Sequence, residues 1–373
     1  SLCNLVMMTG NFGKEGTGLN PMRGQNNVQG SGDNGAVPAN FPGFQSVVLP
    51  EHQAKFEKLY GVKVDMVIGK TKIVALNQAG EETRAMLIAG ENTVVSDANR
   101  QHCEAQLKKL DHLVVVDLFM TETAELAHIV LPATAWGETD GSCVNTERRV
   151  QRLRQAVPPQ GEARPDWWIV SQIAQRLGIP GFEYESAKDV FNEVCGLSPI
   201  YAGLDWDRIE NAEYQWPVPD KDHPGTPMLH EGEFKNGRGL FSIINYRDPA
   251  EVVDDDYPVW LTTGRRLQAY HTRTQTGRSA GIDYLLSEES LEVHPDDLAD
   301  WQLTDGDFVN LTSRRGTVKI RVRATDQSPP GTVFCSFSFN DVPVNILTGS
   351  GYDPITETAE LKVCAVRVES AKA

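Results

Sequence analysis

Residues 84–132 read RAMLIAGENTVVSDANRQHCEAQLKKLDHLVVVDLFMTETAELAHIVLP. The apolar runs at 84–89 and 112–117 are short and bounded by turn residues, and the second is rich in valine, as strands covered on both faces are. A helix is predicted from Ser96-Asp97 to Leu110, another over Thr121–Ala127, and a third strand over Ile129–Pro132. Strand, turn, helix and strand at this spacing predict a parallel α/β sheet. In such sheets ligands lie beyond the carboxyl ends of the strands. Gly90, Glu91 and Asn92 follow the first strand directly, Ser96 opens the next helix, and Asp117 closes the second strand. A glycine there lets backbone approach a pyrophosphate, and a helix N-terminus attracts anions. An aspartate there can accept two N–H groups from a guanine edge. The plain alternative is an ordinary turn and an ordinary cap.

Toward the N-terminus, Gly10 to Gln45 reads GNFGKEGTGLNPMRGQNNVQGSGDNGAVPANFPGFQ. Glycine and asparagine recur so densely that neither a helix nor a regular strand is expected. Leu19, Met22, Val28, Val37, Phe41 and Phe44 argue against a solvated linker, so a packed, ligand-facing loop is predicted. Arg23 stands in its middle, where a planar guanidinium can hold a carboxylate by two parallel bonds. Glu51 to Tyr60 has helical spacing and ends at Gly61. Ser1 to Gly13 begins on a helix-like apolar pattern with no preceding cap and reads as the middle of a fold.

Toward the C-terminus, Trp136 to Arg149 is dense in polar groups and glycine and reads as a charged loop or as support for a ligand cavity. Pro165 and Asp166 open a helix that Gly178 ends. Asp166 suits the helix dipole on its own account. From Tyr214 to Tyr257 the pattern fails, as in a long ordered crossover. Beyond it strands dominate: residues 259–263, 308–312, 316–323 and 333–337, with a short capped helix over 293–301. These predict a small closed β-barrel. Gly264, Arg265 and Arg266 at the end of its first strand, then His271, Thr272 and Arg273, form a glycine-and-cation cluster suited to a pyrophosphate. His271 alone is as readily a hydrogen-bonded surface histidine. The domain plan is an α/β cofactor-binding region over 1–213, a crossover over 214–257 and the barrel over 258–373.

The chain has 373 residues, room for more than one core. It carries 51 acidic against 35 basic residues, a net charge of −16, which disfavours nucleic acid as a partner. No apolar run reaches the roughly 20 residues of a membrane helix, and the start lacks the basic region of a signal peptide. Cytoplasmic residence is the expectation. The six cysteines are scattered with no C-x-x-C pair, so neither a zinc site, an iron–sulfur cluster nor a disulfide framework is expected, and no metal ligand is assigned.

RGQNNVQG at 23–30, with Asp33, Gly35, Pro38 and PGFQ at 42–45, resembles the segment of molybdenum- or tungsten-dependent formate dehydrogenases that passes over the metal. Gly32-Asp33-Asn34-Gly35 departs from the Cys-Asp-Met-Gly common there, and Gln302 stands where that family commonly has glycine. The resemblance covers essentially the whole chain and corresponds to the second half of the family's catalytic subunit. It implies a double-psi-like barrel at the C-terminus. It also implies a bis-molybdopterin guanine dinucleotide holding Mo or W, with any iron–sulfur cluster on the other half or on partner subunits. In that family the arginine at the position of Arg23 orients formate. The segments GEN-x-x-x-S and VVVDLFMTETAELAHIVLPATAWGE match those that hold one of two guanine dinucleotide arms, and the aspartate of P-D-W contacts a guanine, which carries Gly90, Glu91, Asn92, Ser96, Asp117 and Asp166 over as cofactor-binding candidates. The resemblance carries over Gln25 as well, Gly264, Arg265, His271 and Thr272 where the barrel first faces the cofactor, and Asn345 and Lys362 near the pterin. The implied activity is oxidation of formate to carbon dioxide together with the N-terminal half. Implied partners are iron–sulfur or flavin electron-transfer subunits linked to NAD. The rival readings are a relative acting on another oxyanion, such as nitrate, and a non-catalytic nucleotide-binding scaffold.

Overall fold

The computed structural model describes residues 1–65, 67–234 and 236–371. The chain divides into two compact units, one of Ser1–Lys70 with Ala133–Tyr246, the other of Thr71–Pro132 with Arg247–Ala373.

In the second unit the strands Ala85–Ala89, His112–Asp117 and Ile129–Pro132 form a parallel sheet in that order. The middle strand buries Leu113, Val115 and Val116, and Cys103 and Leu107 of the helix Arg100–Leu107 belong to the same apolar cluster. Burying each such side chain contributes roughly 1.5–3 kcal/mol. The predicted helix over 96–110 is divided. A short helix Thr93–Ser96 ends, and Asn99 takes a left-handed backbone at φ 51° before Arg100–Leu107 begins. The break lies in the side chain of Asn99, whose Oδ1 accepts from the His102 amide at 3.4 Å and so caps a new helix. Over 121–127 only a single 3₁₀ turn, Ala124–Leu126, forms. Thr121 and Thr123, just before the turn, bond the Ala124 amide and Asn92, and the next strand starts three residues after it.

The second unit also holds the closed six-stranded barrel. Its circuit runs Ser290–Val293, Thr317–Ala324, Phe308–Thr312, Cys364–Ser370, Val259–Gly264, Thr332–Ser336 and back to the first. Two of the pairings are parallel and the rest antiparallel. Thr317–Ala324 shows the expected alternation, with Val318, Ile320 and Val322 inward and Lys319 and Arg323 outward. The helix Pro295–Asp300 ends at a turn in which Gln302 adopts φ 56°, a conformation glycine takes freely.

In the first unit Gly141–Val144, Arg149–Leu153 and Tyr214–Gln215 form an antiparallel sheet. The polar stretch 136–149 is therefore largely a hairpin, and the segment 214–257 opens on a paired strand. Helix Ala187–Leu197 is fixed at its start by a capping box between Ser186 and Asp189. It packs Phe191 and Cys195 with Val150, Tyr201, Trp206 and Ile209. Helices Pro50–Tyr60 and Asp166–Arg176 begin and end close to where proline and glycine place them.

The Gly10–Gln45 stretch contains elements the sequence argued against, the short strand Asn40–Phe41, which pairs with Gln45–Ser46, and the helix Val28–Asp33. Gly30 is tolerated there for a packing reason. A Cβ at that position would run into the side chains of Asn27 and Val144. Asn27 is left-handed, and its Oδ1 accepts the Val144 amide at 3.0 Å. The helix places Gln29 and Asp33 one turn apart on its buried face.

Candidate functional site

The carboxyl edge of the parallel sheet gathers Gly90, Glu91, Asn92, Ser96 and Asp117 of the second unit. Register pairs Ala89 with Val116 and Asp117 with Pro132, so Gly90 and Asp117 leave the sheet side by side. Gly90 has φ 65°, donates its amide to the Val116 carbonyl at 2.8 Å, and presents open space where a side chain would stand. Asp117 Oδ1 accepts the following amide of Leu118 at 2.7 Å. Burial pushes its carboxyl up, against backbone hydrogen bonds from Leu118 and Phe119 and the charge of Arg278.

Behind that edge lies a polar cluster. Glu91 accepts from Lys72 at 2.7 Å and from the Ser96 hydroxyl at 3.2 Å. Lys72 also bonds Asp97 at 2.5 Å. Asn92 is spent on structure: Nδ2 donates to Glu122 at 2.6 Å, while Oδ1 accepts from the Thr123 hydroxyl at 2.9 Å and its amide at 3.3 Å. Asn345 is buried and donates to the carbonyls of Val95 and Ser96 at 2.9 and 3.1 Å. Oδ2 of Asp97 and Oδ1 of Asn345 are buried here and have no donor among the described residues. An unmet buried acceptor costs about 1–3 kcal/mol, so both suit a ligand that brings N–H groups. Burial pushes the Asp97 carboxyl up, and Lys72 pulls the other way.

At the barrel, Gly264 ends its strand with Phe334 where a Cβ would go. Of the cations expected to form one anion cluster, Arg266 is turned inward onto Glu289 and Glu292, and Arg273 pairs with Asp283. Arg265 is exposed and makes no ion pair or hydrogen bond among the described residues. His271 has φ 52° and packs edge-on against Phe337. Burial, then the charge of Arg265, hold its imidazole below the usual range, so it is neutral near pH 7. Thr272 bonds Thr274 at 2.9 Å, and exposed Lys362 reaches the Thr263 carbonyl at 3.5 Å.

In the first unit, Arg23 is exposed and its guanidinium is held from one side by Gln29. Gln25 is half-buried and makes no hydrogen bond among the described residues. Asp166 is exposed at the first turn of its helix. Sequence reasoning missed Lys72, Asp97, Gln29 and Tyr201. The four-residue spacing of Gln29 and Asp33 was the one available signal. The six cysteines are all unpaired and four are buried, with desolvation pushing the Cys195 and Cys364 thiols up to about 12.

Residues 1–176 match the family model of molybdopterin oxidoreductases, and residues 259–365 match that of the molydopterin dinucleotide binding domain. The F420-dependent formate dehydrogenase subunit alpha of Methanocaldococcus jannaschii is 44% identical over 99% of this chain and 55% of its own length. The F420-dependent formate dehydrogenase 2 subunit alpha of Methanococcus maripaludis shows the same identity and coverage. A putative formate dehydrogenase of Bacillus subtilis is 35% identical over 99% of the chain and 38% of its own length. The chain thus spans about half the length, or less, of the curated relatives it matches. Acetylene hydratase from Pelobacter acetylenicus shares the fold, with a TM-score of 0.63 at 18% identity over 86% of this chain and 50% of that one.

Proposed function

This chain belongs to the molybdopterin oxidoreductase family, and we propose that within a longer catalytic subunit it serves the oxidation of formate to carbon dioxide. The observation that carries this reading is the 44% identity, over 99% of the chain, to formate dehydrogenase alpha subunits. RGQNNVQG, with an outward-facing Arg23, supports it.

The residues present fit a molybdopterin guanine dinucleotide. Asp97 and Asn345 offer buried acceptors with no donor among the described residues, and Gly90 leaves backbone at a strand end with open space beside it. When bound as the bis-dinucleotide with Mo or W, this group supplies the metal that takes the electrons. The protein supplies binding, orientation and electrostatics. Asp117 and Asp166 accept from guanine N–H groups. Gly90 lets backbone close on pyrophosphate, and Gly264, backed by Phe334, brings Arg265 to it as a cation. Neutral His271 and Thr272 line that region as donors. Glu91, Asn92 and Ser96 shape the sheet edge, with the Asn92 side chain already committed to Glu122 and Thr123. On the family resemblance Asn345 and Lys362 serve the pterin, and Gln25 is a further cofactor contact. Arg23 takes the formate carboxylate on two N–H groups, which aims the C–H bond.

The partners are the N-terminal part of the catalytic subunit and iron–sulfur or flavin electron-transfer subunits. The terminal acceptor is a soluble carrier, NAD on the sequence reading or F420 as in the names of the archaeal relatives. Among the described residues no helix is long and apolar enough to cross a membrane, and we place the protein in the cytoplasm. Purification of the full-length subunit tests the proposal. It should carry pterin, guanine nucleotide and Mo or W, and it should reduce a dye with formate. Dye-linked reduction of nitrate without formate oxidation would move it to another branch of the family, and absence of pterin would leave a scaffold.

A further inference from the structure

The reading of Arg23 as the group that holds formate, on which this inference rests, does not by itself explain how an exposed arginine keeps one orientation. Arginine loses much rotamer freedom when it is fixed, so something must hold it. Arg23 donates from Nε at 3.1 Å and from Nη2 at 2.7 Å to the single oxygen Oε1 of Gln29. Nε2 of Gln29 donates to Oδ1 of Asp33 at 2.7 Å, and the Tyr201 hydroxyl donates to Oδ2 of Asp33 at 2.7 Å. Gln29, Asp33 and Tyr201 are 7%, 0% and 1% exposed. A buried polar chain therefore ends in a surface cation.

The chemistry of each link sets the next. An amide can present either its oxygen or its NH₂ and can flip between them. An ionised carboxylate can only accept, so Asp33 fixes the NH₂ of Gln29 toward itself and leaves the oxygen for Arg23. Tyr201 occupies the second carboxylate oxygen and keeps both in place. Gln29 takes the Nε edge of the guanidinium, and the Nη1–Nη2 edge meets no other partner among the described residues, a fork suited to a small anion. With the amide reversed, NH₂ would face guanidinium N–H, and the arginine would lose its anchor.

We propose that Gln29 and Asp33 are positioning residues for Arg23, a buried relay that fixes the guanidinium with its Nη1–Nη2 edge toward the substrate anion. The helix Val28–Asp33 exists to bring the two together at a spacing of four residues. Asp33 lies among Gln29 and Tyr201, with Arg23 and Arg148 as its charged neighbours.

The test uses the full-length, metal-loaded enzyme and azide as a small anion probe, read by spectral titration. Formate kcat and KM, metal content and melting temperature are measured beside it. Gln29→Met removes the acceptor, and Asp33→Asn, which is isosteric, allows the Gln29 amide to reverse. Ile209→Val, in the core of the same unit, supplies a loss of stability without touching the relay. Azide Kd should rise about tenfold or more in Gln29→Met and in Asp33→Asn, and formate kcat/KM should fall at least as far. Ile209→Val should leave azide Kd within twofold of the parent. If Gln29→Met does not fold, Asp33→Asn alone decides. Azide Kd unchanged in the folded relay variants, while Arg23→Ala weakens azide, overturns the relay and leaves the role of Arg23 standing. Azide Kd unchanged in Arg23→Ala as well removes Arg23 as the anion group, and the relay proposal falls with it.

Discussion

Gln29 receives Nε and Nη2 of Arg23 on one amide oxygen, at 3.1 and 2.7 Å, so the arginine leans on a buried side chain of the helix while its other edge meets no partner among the described residues. The helix itself depends on a residue without a side chain. Gly30 faces the side chain of Asn27, whose Oδ1 accepts the Val144 amide.

Gly30→Ala should therefore destabilise the protein. The added methyl meets Asn27 and Val144, and overpacking of this kind costs about 1–3 kcal/mol. Chemical denaturation of the parent and the variant checks this. Equal midpoints and slopes would show that the loop yields without cost.

Gln302→Gly should stabilise the barrel unit. A left-handed backbone costs a non-glycine residue about 1–2 kcal/mol, which exceeds the entropy glycine loses on folding, roughly 0.5–1 kcal/mol. The expected gain is a few tenths to about 1 kcal/mol in thermal or denaturant unfolding. A loss of stability would mean that the Gln302 side chain contributes more than its backbone costs.

Asp97 carries a pH prediction. Burial raises its carboxyl above the ordinary 3.8, so the folded state holds this proton more tightly than the unfolded one. The associated stability is fully present below 3.8 and is lost as pH rises through the raised value. In the cofactor-free protein, Asp97→Asn should therefore gain stability relative to the parent as pH climbs from about 4 to 7. A difference that stays constant over that range would mean the Asp97 charge is fully compensated by Lys72.

Asp117 and Asp166 are predicted to accept from guanine. Losing a charge-assisted hydrogen bond costs about 1.5–3 kcal/mol, so Asp117→Ala and Asp166→Ala should each lower the guanine nucleotide recovered per chain. Full occupancy in both would make them caps alone.

The sequence made much of the scaffold legible because burial leaves a direct mark on residue type. Val114, Val115 and Val116 announce a strand covered on both faces, and Val318, Ile320 and Val322 alternate with outward polar residues. Gly90, Asp117 and Gly264 fall at strand ends because turns need them there. Other features depend on partners distant in sequence. The cations Arg266 and Arg273 looked like part of an anion site, but Glu289, Glu292 and Asp283 take them. The helix Val28–Asp33 was hidden because glycine lowers helix propensity, while the contact that requires Gly30 lies at Val144. The break at Asn99 was hidden because a cap in mid-pattern looks like one more polar position.

The most direct test of the account is steady-state formate oxidation per bound metal, by the full-length parent enzyme and by Arg23→Lys. Lysine keeps the charge and loses the two-pronged geometry, and small misplacements of a reacting group cost about a hundredfold. The account predicts that the parent oxidises formate, and that the lysine variant keeps its metal and melting temperature while turnover falls about a hundredfold. Equal turnover in the two at matched metal content, or a fully loaded parent that oxidises no formate, would contradict it.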